Sequence, residues 1–233
     1  MNADDPARAG AFIFYACRNA ACGLRFPAPA DPGLDACPRC GGPLAVAAVV
    51  PGGADAPVSS PTHTSLPQRV TVIVDNLRSI YNVGSILRTA DGAGLHHVFL
   101  CGITPTPEHP KVAKTALGAE QAVSWSYHPN ALTVLAAERA AGAAIWALET
   151  RHDAQPLGRG LAPGDAGVTL VIGNENAGVD PAVLALADRV VCLPMRGVKR
   201  SLNVATAFGA AVYLITEAIL AAPATPADAS GSH

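Results

Sequence analysis

Leu193-Pro194-Met195-Arg196-Gly197-Val198-Lys199-Arg200-Ser201-Leu202-Asn203-Val204-Ala205-Thr206-Ala207 is the stretch whose reading decides how this chain folds. The apolar run Val190 to Leu193 reads as a strand that breaks at Pro194 and passes through a glycine turn at Gly197. A Ser201-x-Asn203 pair then opens an apolar, Ala-rich helix. A strand ending in a loop whose polar groups face a helix N-terminus is where α/β proteins place ligands.

Two upstream segments share this strand, loop and helix order. The β-branched run Val70 to Val74 leads into Asp75-Asn76-Leu77-Arg78-Ser79-Ile80-Tyr81-Asn82-Val83-Gly84-Ser85-Ile86-Leu87-Arg88-Thr89-Ala90. Asn82 is a competent helix N-cap, and Ile86, Leu87 and Ala90 recur at helical spacing. Arg88 lies six residues after Asn82, less than two turns on, so one helix can offer both to one cleft. Taken singly, Arg88 reads as an exposed helix cation. The other segment is Leu170-Val171-Ile172-Gly173-Asn174-Glu175-Asn176-Ala177-Gly178-Val179, followed by Asp180-Pro181 as N-cap and first helical residue. By itself it is an ordinary turn, with Glu175 a solvated carboxylate.

Together and in this order, the three segments resemble the motifs of the SpoU (TrmH-type) branch of the SPOUT RNA ribose 2′-O-methyltransferases. Lys114 to Glu120 also looks like the family's segment between its first two motifs. The likeness spans about residues 67–222, roughly two thirds of the chain. Asn176 stands where the family usually has Gly, and Ala205 where Ser is common. Asn tolerates left-handed backbone better than most residues, so the loop can close with it.

The resemblance implies S-adenosyl-L-methionine as methyl donor and a ribose 2′-hydroxyl of structured RNA as acceptor, rRNA favoured over tRNA. It also implies a homodimer and a trefoil knot at the C-terminal end. By the same resemblance Gly173, Asn174, Leu193, Met195, Ser201 and Leu202 cradle the cofactor. Asn82, Arg88, Glu175, Ser201 and Asn203 then form the catalytic cluster. Arg88 is the family's proposed base. A guanidinium with a pKa above about 12 is equally suited to grip a phosphate or stabilise an alkoxide. A reading of a different class is a non-catalytic RNA-binding adaptor that dimerises through a SPOUT-like domain. The joint presence of Arg88, Glu175, Ser201 and Asn203 weighs against it.

Composition is compatible with this and does not demand it. The 233 residues are 50% hydrophobic and 15% charged, enough for an α/β core plus a small module. A net charge of −2 supplies no global basic field for a nucleic acid, so a local patch such as Arg196, Lys199 and Arg200 must serve. Without the motif those residues would merely solubilise a turn. The start Met1 to Pro6 has no basic and apolar signal pattern, and the apolar run Val204 to Leu220 is interrupted by Thr206, Gly209, Thr216 and Glu217. The expectation is a cytoplasmic protein with no membrane span, that last helix serving the core or a dimer interface. No Walker A sequence occurs, and Gly92-Ala93-Gly94 has His97 where a dinucleotide fingerprint needs its third glycine. His96 and His97 begin a strand, so they point to opposite faces and make poor joint ligands.

Four of the six cysteines crowd near the N-terminus as Cys17-x4-Cys22 and Cys37-x2-Cys40. Two such pairs supply four thiolates to one structural zinc, with Gly23 and Gly41-Gly42 letting backbone amides turn toward sulfur. Disulfides are disfavoured in a reducing cytosol, and iron in a rubredoxin-like knuckle is the minor alternative. Cys101 and Cys192 lie in apolar strands and read as core thiols.

The expected organisation is a disordered start (1–11), a zinc-ribbon-like module (12–46), a Pro/Gly/Ser/Thr linker (47–67), a SPOUT domain (68–222) and a disordered tail (223–233). His63 reads as a solvated linker residue. Strands are expected at 70–74, 97–100, 123–125, 144–148, 170–172 and 190–193, alternating with helices at 83–93, 111–117, 131–141, 181–186 and 203–220. That alternation argues for a parallel α/β sheet covered by helices on both faces.

Overall fold

The computed structural model describes residues 11–30, 34–50, 66–158, 161, 163–164 and 166–222. Residues 1–10, 51–65 and 223–233, which include His63 and most of the expected disordered start, linker and tail, lie outside the described residues. The chain divides into two units, Met1–Thr62 and His63–His233.

The first unit is a three-stranded antiparallel sheet in the order β2-β1-β3. Its strands are β1 (Phe12–Cys17), β2 (Arg25–Pro29) and β3 (Leu44–Val50). β3 continues through residues 47–50, which the sequence reading had placed in the linker. Antiparallel pairing of Phe12 with Val50 extends the strand beyond the point where its composition turns linker-like.

The second unit is built on a seven-stranded, wholly parallel sheet in the order β6-β5-β4-β9-β7-β10-β8. These strands are β4 (Val70–Asp75), β5 (His97–Cys101), β6 (Trp125–His128), β7 (Ala144–Leu148), β8 (Gln155–Pro156), β9 (Val168–Ile172) and β10 (Arg189–Cys192). Every residue of β4 and β9 is buried, as expected of central strands covered on both faces. Among the described residues, six helices accompany the sheet: α1 (Ile80–Gly92), α2 (Pro110–Ala116), α3 (Ala119–Ala122), α4 (Ala131–Ala140), α5 (Pro181–Leu186) and α6 (Val204–Ala221). Alternation along β4 sends Val70, Val72 and Val74 into the core shared with α1 and α6, and Ile73 into the core beneath α4 and α5. A slab closed on both faces follows.

Local chemistry sets the helix starts. Asp180 accepts from the Ala182 amide at 2.8 Å ahead of Pro181, and Asn130 accepts from Leu132 at 2.9 Å. In α1 the cap is Ser79, which accepts from the Asn82 amide at 3.3 Å, so the helix begins one turn earlier than expected and Asn82 lies inside it. β6 is shifted too, because the added helix α3 occupies 119–122 and Val123 becomes its C-cap. His96 and His97 do diverge: His96 Nδ1 accepts from the Val70 amide at 3.2 Å, while His97 Nε2 pairs with Ser126 Oγ at 2.8 Å. Cys101 is buried, but Cys192 is only partly so.

Among the described residues, α6 is the one helix long and apolar enough to cross a membrane. One side of it, Phe208, Ala211, Val212, Ile215 and Ile219, is core packed against α1 and the sheet. Tyr213, Leu214 and Leu220 are exposed.

Candidate active site and metal centre

The four central strands, in the order β4-β9-β7-β10, all end at the same edge because the sheet is parallel. Beyond their C-terminal ends run the 76–79 loop, the 173–178 turn, Glu149-Thr150 and the 193–203 loop. A cleft of about 470 Å³ opens among the last three. Gly173, Asn174, Leu193, Met195, Ser201 and Leu202, the residues expected to cradle a cofactor, all line it, together with Glu175 and Asn203.

The 173–178 turn is closed by backbone exchange between Asn174 and Gly178, each amide donating to the other's carbonyl at 2.9 Å. A Cβ on Gly173 would stand 2.2 Å from the Gly178 carbonyl oxygen, so only glycine permits the closure. Asn174 Oδ1 accepts from the amides of Asn176 and Ala177, both at 3.0 Å, and its Nδ2 donates to the Asn76 carbonyl at 2.7 Å. The only non-glycine residues with positive φ among those described are Asn76 and Leu117. Asn176 therefore sits in ordinary backbone, and the left-handed tolerance of Asn is not what closes this turn.

Three polar side chains from distant parts of the chain meet at the rim. Glu175 accepts from the amides of Arg78 and Ser79, both at 3.0 Å, and from Asn82 Nδ2 at 3.0 Å. Asn203 Nδ2 donates in turn to Asn82 Oδ1 at 3.1 Å. Asn203 Oδ1 caps α6, accepting from Ala205 at 2.9 Å and Thr206 at 3.3 Å. The cap fixes the Asn203 amide, which fixes the Asn82 amide, which aims a donor at Glu175. Burial works to raise the Glu175 pKa, but the bonds from Ser79, Arg78 and Asn82 outweigh it and hold the carboxyl below its usual range.

The other expected residues are placed differently. Ser201 is exposed on the cleft lining. Arg88 is exposed on α1, about 9 Å along the axis and about a third of a turn round from Asn82. It makes no hydrogen bond or ion pair among the described residues, so the structure unites Asn82, Glu175 and Asn203 but not Arg88. Glu149 and Thr150 line the cleft without having been singled out. Their position directly after an apolar strand was the available signal.

In the first unit Cys17, Cys22, Cys37 and Cys40 bring their sulfurs within 4.8 Å of one another. Cys17 and Cys40 are 3.5 Å apart and Cys22 and Cys37 3.8 Å, close to the ~3.8 Å edge of a tetrahedron with 2.3 Å metal–sulfur bonds. Gly23 and Gly41 take φ of 58° and 71°, turning the knuckles, and the Gly42 amide donates to Cys40 Sγ at 3.4 Å. Burial pushes the Cys37 thiol up, but amides of Arg39 and Cys40 and the neighbouring thiols bring it down to about 7. Four thiols with no open position suit a structural ion.

A family model for the SpoU rRNA Methylase family matches residues 69–213. The chain belongs to that family. It is 30% identical over 145 residues to a tRNA (guanosine(18)-2′-O)-methyltransferase of Thermus thermophilus, covering 62% of this chain and 72% of that one. It is 31% identical over 143 residues to a 23S rRNA (guanosine-2′-O-)-methyltransferase of Ralstonia nicotianae, covering 61% and 56%. The chain thus spans little more than half the length of several curated relatives. The crystal structure of the SpoU methyltransferase AviRb from Streptomyces viridochromogenes in complex with AdoMet superposes with a TM-score of 0.59 at 26% identity, over 78% of this chain and 70% of that one. The cysteine-bearing module lies outside the 69–213 segment that the family model matches.

Proposed function

We propose that this protein transfers a methyl group from S-adenosyl-L-methionine to a ribose 2′-hydroxyl of structured RNA, with rRNA preferred over tRNA. The observation that carries the reading is the Glu175–Asn82–Asn203 chain of hydrogen bonds at the rim of the strand-end cleft. A sulfonium brings its own activated methyl group, so the protein must supply placement and proton handling.

Gly173, Asn174 and Leu202 offer backbone groups for the adenosine, Leu193 and Met195 apolar contact, and Ser201 a hydroxyl. Asn82, held by Glu175 and Asn203, orients the acceptor ribose. As the acceptor oxygen gains the methyl, the carbon–sulfur pair returns to sulfur and the hydroxyl proton passes by way of Ser201 to solvent. Arg88 also stands ready to grip the target phosphate and stabilise the developing alkoxide.

The larger assembly forms part of the same proposal. Exposed Tyr213, Leu214 and Leu220 on α6 give a homodimer its isologous contact. β10 pairs with both β7 and β8, a strand order compatible with a C-terminal trefoil knot. The module of residues 12–46 holds one zinc through Cys17, Cys22, Cys37 and Cys40, and Arg18, Arg25 and Arg39 beside its knuckles help hold RNA. The catalytic domain (68–222) and a cytoplasmic location complete the picture.

Tritiated methyl transfer to total RNA, followed by mapping of 2′-O-methyl sites in cells with and without the gene, tests the reading. New sites in rRNA are expected. RNA binding without methyl transfer would establish the adaptor instead, and calorimetry with S-adenosylmethionine separates the two directly.

A further inference from the structure

We infer that Glu149 is a charge-selecting carboxylate of the cofactor cleft, favouring the cationic sulfonium donor over its neutral thioether product. The inference rests on the cofactor reading of that cleft. Its lining contains two charged side chains, Glu149 and Glu175, and no Lys, Arg, His or Asp. Arg196, Lys199 and Arg200 are exposed on the neighbouring loop and do not line the cleft.

The two carboxylates are not equivalent. Glu175 is committed to Arg78, Ser79 and Asn82, three donors that already compensate its charge. Each Glu149 oxygen takes a single amide: Thr150 N–H to Oε1 at 2.7 Å and Val179 N–H to Oε2 at 2.9 Å. An ionised carboxylate has about four acceptor positions, so about half of them remain for a ligand or water. The two amides also hold the group rigidly at the end of β7. Gly178 makes room for it, since a Cβ there would lie 2.3 Å from Glu149 Oε2.

A bland role accounts for part of this: Glu149 braces the 173–178 turn. Bracing would support any adenosyl ligand equally. A fixed, partly uncompensated negative charge would not, because methyl transfer turns a cationic sulfur into a neutral one. The product then loses an attraction that the substrate had, which favours exchange after each turnover.

Calorimetry on the full-length protein with three ligands separates these roles. They are S-adenosylmethionine, S-adenosylhomocysteine, and sinefungin, whose protonated amine replaces the sulfonium. Glu149→Gln should weaken the two cationic ligands about tenfold, the scale of one partly screened unit charge, and leave S-adenosylhomocysteine within about twofold. Asn174→Ala, which loosens the 173–178 turn and leaves the Glu149 carboxylate in place, should weaken all three alike. Equal losses for all three ligands in Glu149→Gln would overturn the inference and leave Glu149 as a brace. Unchanged affinities would overturn it as well. A wild-type protein that binds none of the three would instead sink the cofactor reading, and this inference with it.

Discussion

The side chain of Asn203 performs two jobs that substitution can separate. Its Oδ1 caps α6 through Ala205 and Thr206, and its Nδ2 orients Asn82 at 3.1 Å. Asn203→Ala removes both. Loss of an N-cap costs ~1 kcal/mol, and loss of a partly exposed amide–amide bond adds ~0.5–1 kcal/mol. A destabilisation of ~1.5–2 kcal/mol follows, or a Tm lower by about 3–8 °C in a domain of this size. Asn203→Asp keeps the capping oxygen and adds a charge that the helix N-terminus favours by ~0.3–1 kcal/mol. It also replaces the donor facing Asn82 with an acceptor. Asn82 must then turn away from Glu175 or lose its second partner. The Asp variant should therefore stay within ~0.5 kcal/mol of wild type, while both variants lose methyl transfer about a hundredfold through misplacement of the acceptor. Urea unfolding at constant m value reports the first quantity, and tritiated methyl transfer under single-turnover conditions the second. Equal destabilisation by Asp and Ala would refute the capping argument. Wild-type turnover in Asn203→Asp would refute the orienting role.

Other consequences can be checked as simply. Arg88→Ala should reduce methyl transfer by ~10²- to 10⁴-fold while cofactor affinity stays within a few-fold, since its exposed place on α1 lies outside the cleft lining; wild-type turnover would remove it from the mechanism. Elemental analysis should find one zinc per chain, and Cys37→Ser should release it and unfold the small sheet while leaving S-adenosylmethionine binding intact. Glu138 bonds to Arg69 and accepts from Thr71 and Thr169, both at 2.9 Å. Burial raises its pKa, but those partners outweigh it and depress the carboxyl below 4.5. A depressed folded pKa means stability fully present above the unfolded value and lost as pH falls through the folded one. The urea midpoint of wild type should accordingly fall more steeply below about pH 4.5 than that of Glu138→Gln, and parallel acid limbs would contradict this.

Much of the molecule was legible because local patterns decide it. The continuous apolar runs at Val70 to Val74 and Leu170 to Ile172 can only be strands buried on both faces, and both are central in the sheet. Asp180-Pro181 marks a helix start by the chemistry of two residues, and the spacing of the four cysteines suits the single cluster that they form. What the sequence alone could not decide depends on which strand ends become neighbours. Asn82 reads locally as an N-cap, yet Ser79 caps α1, and the Asn82 side chain is taken by partners 93 and 121 residues away. Glu149 is marked in the sequence only by its place directly after β7. It joins the cleft because β7 pairs beside β9, which brings it against the turn at Gly178. Val123 has strand propensity, but the helical turn before it uses it as a cap and moves β6 downstream. Arg88 shares a motif with Asn82, whereas helix geometry sets it about a third of a turn round, outside the Glu175–Asn82–Asn203 chain. Propensity acts over a few residues; the hydrogen bonds that build this site span about a hundred, and only the packed parallel sheet brings their ends together.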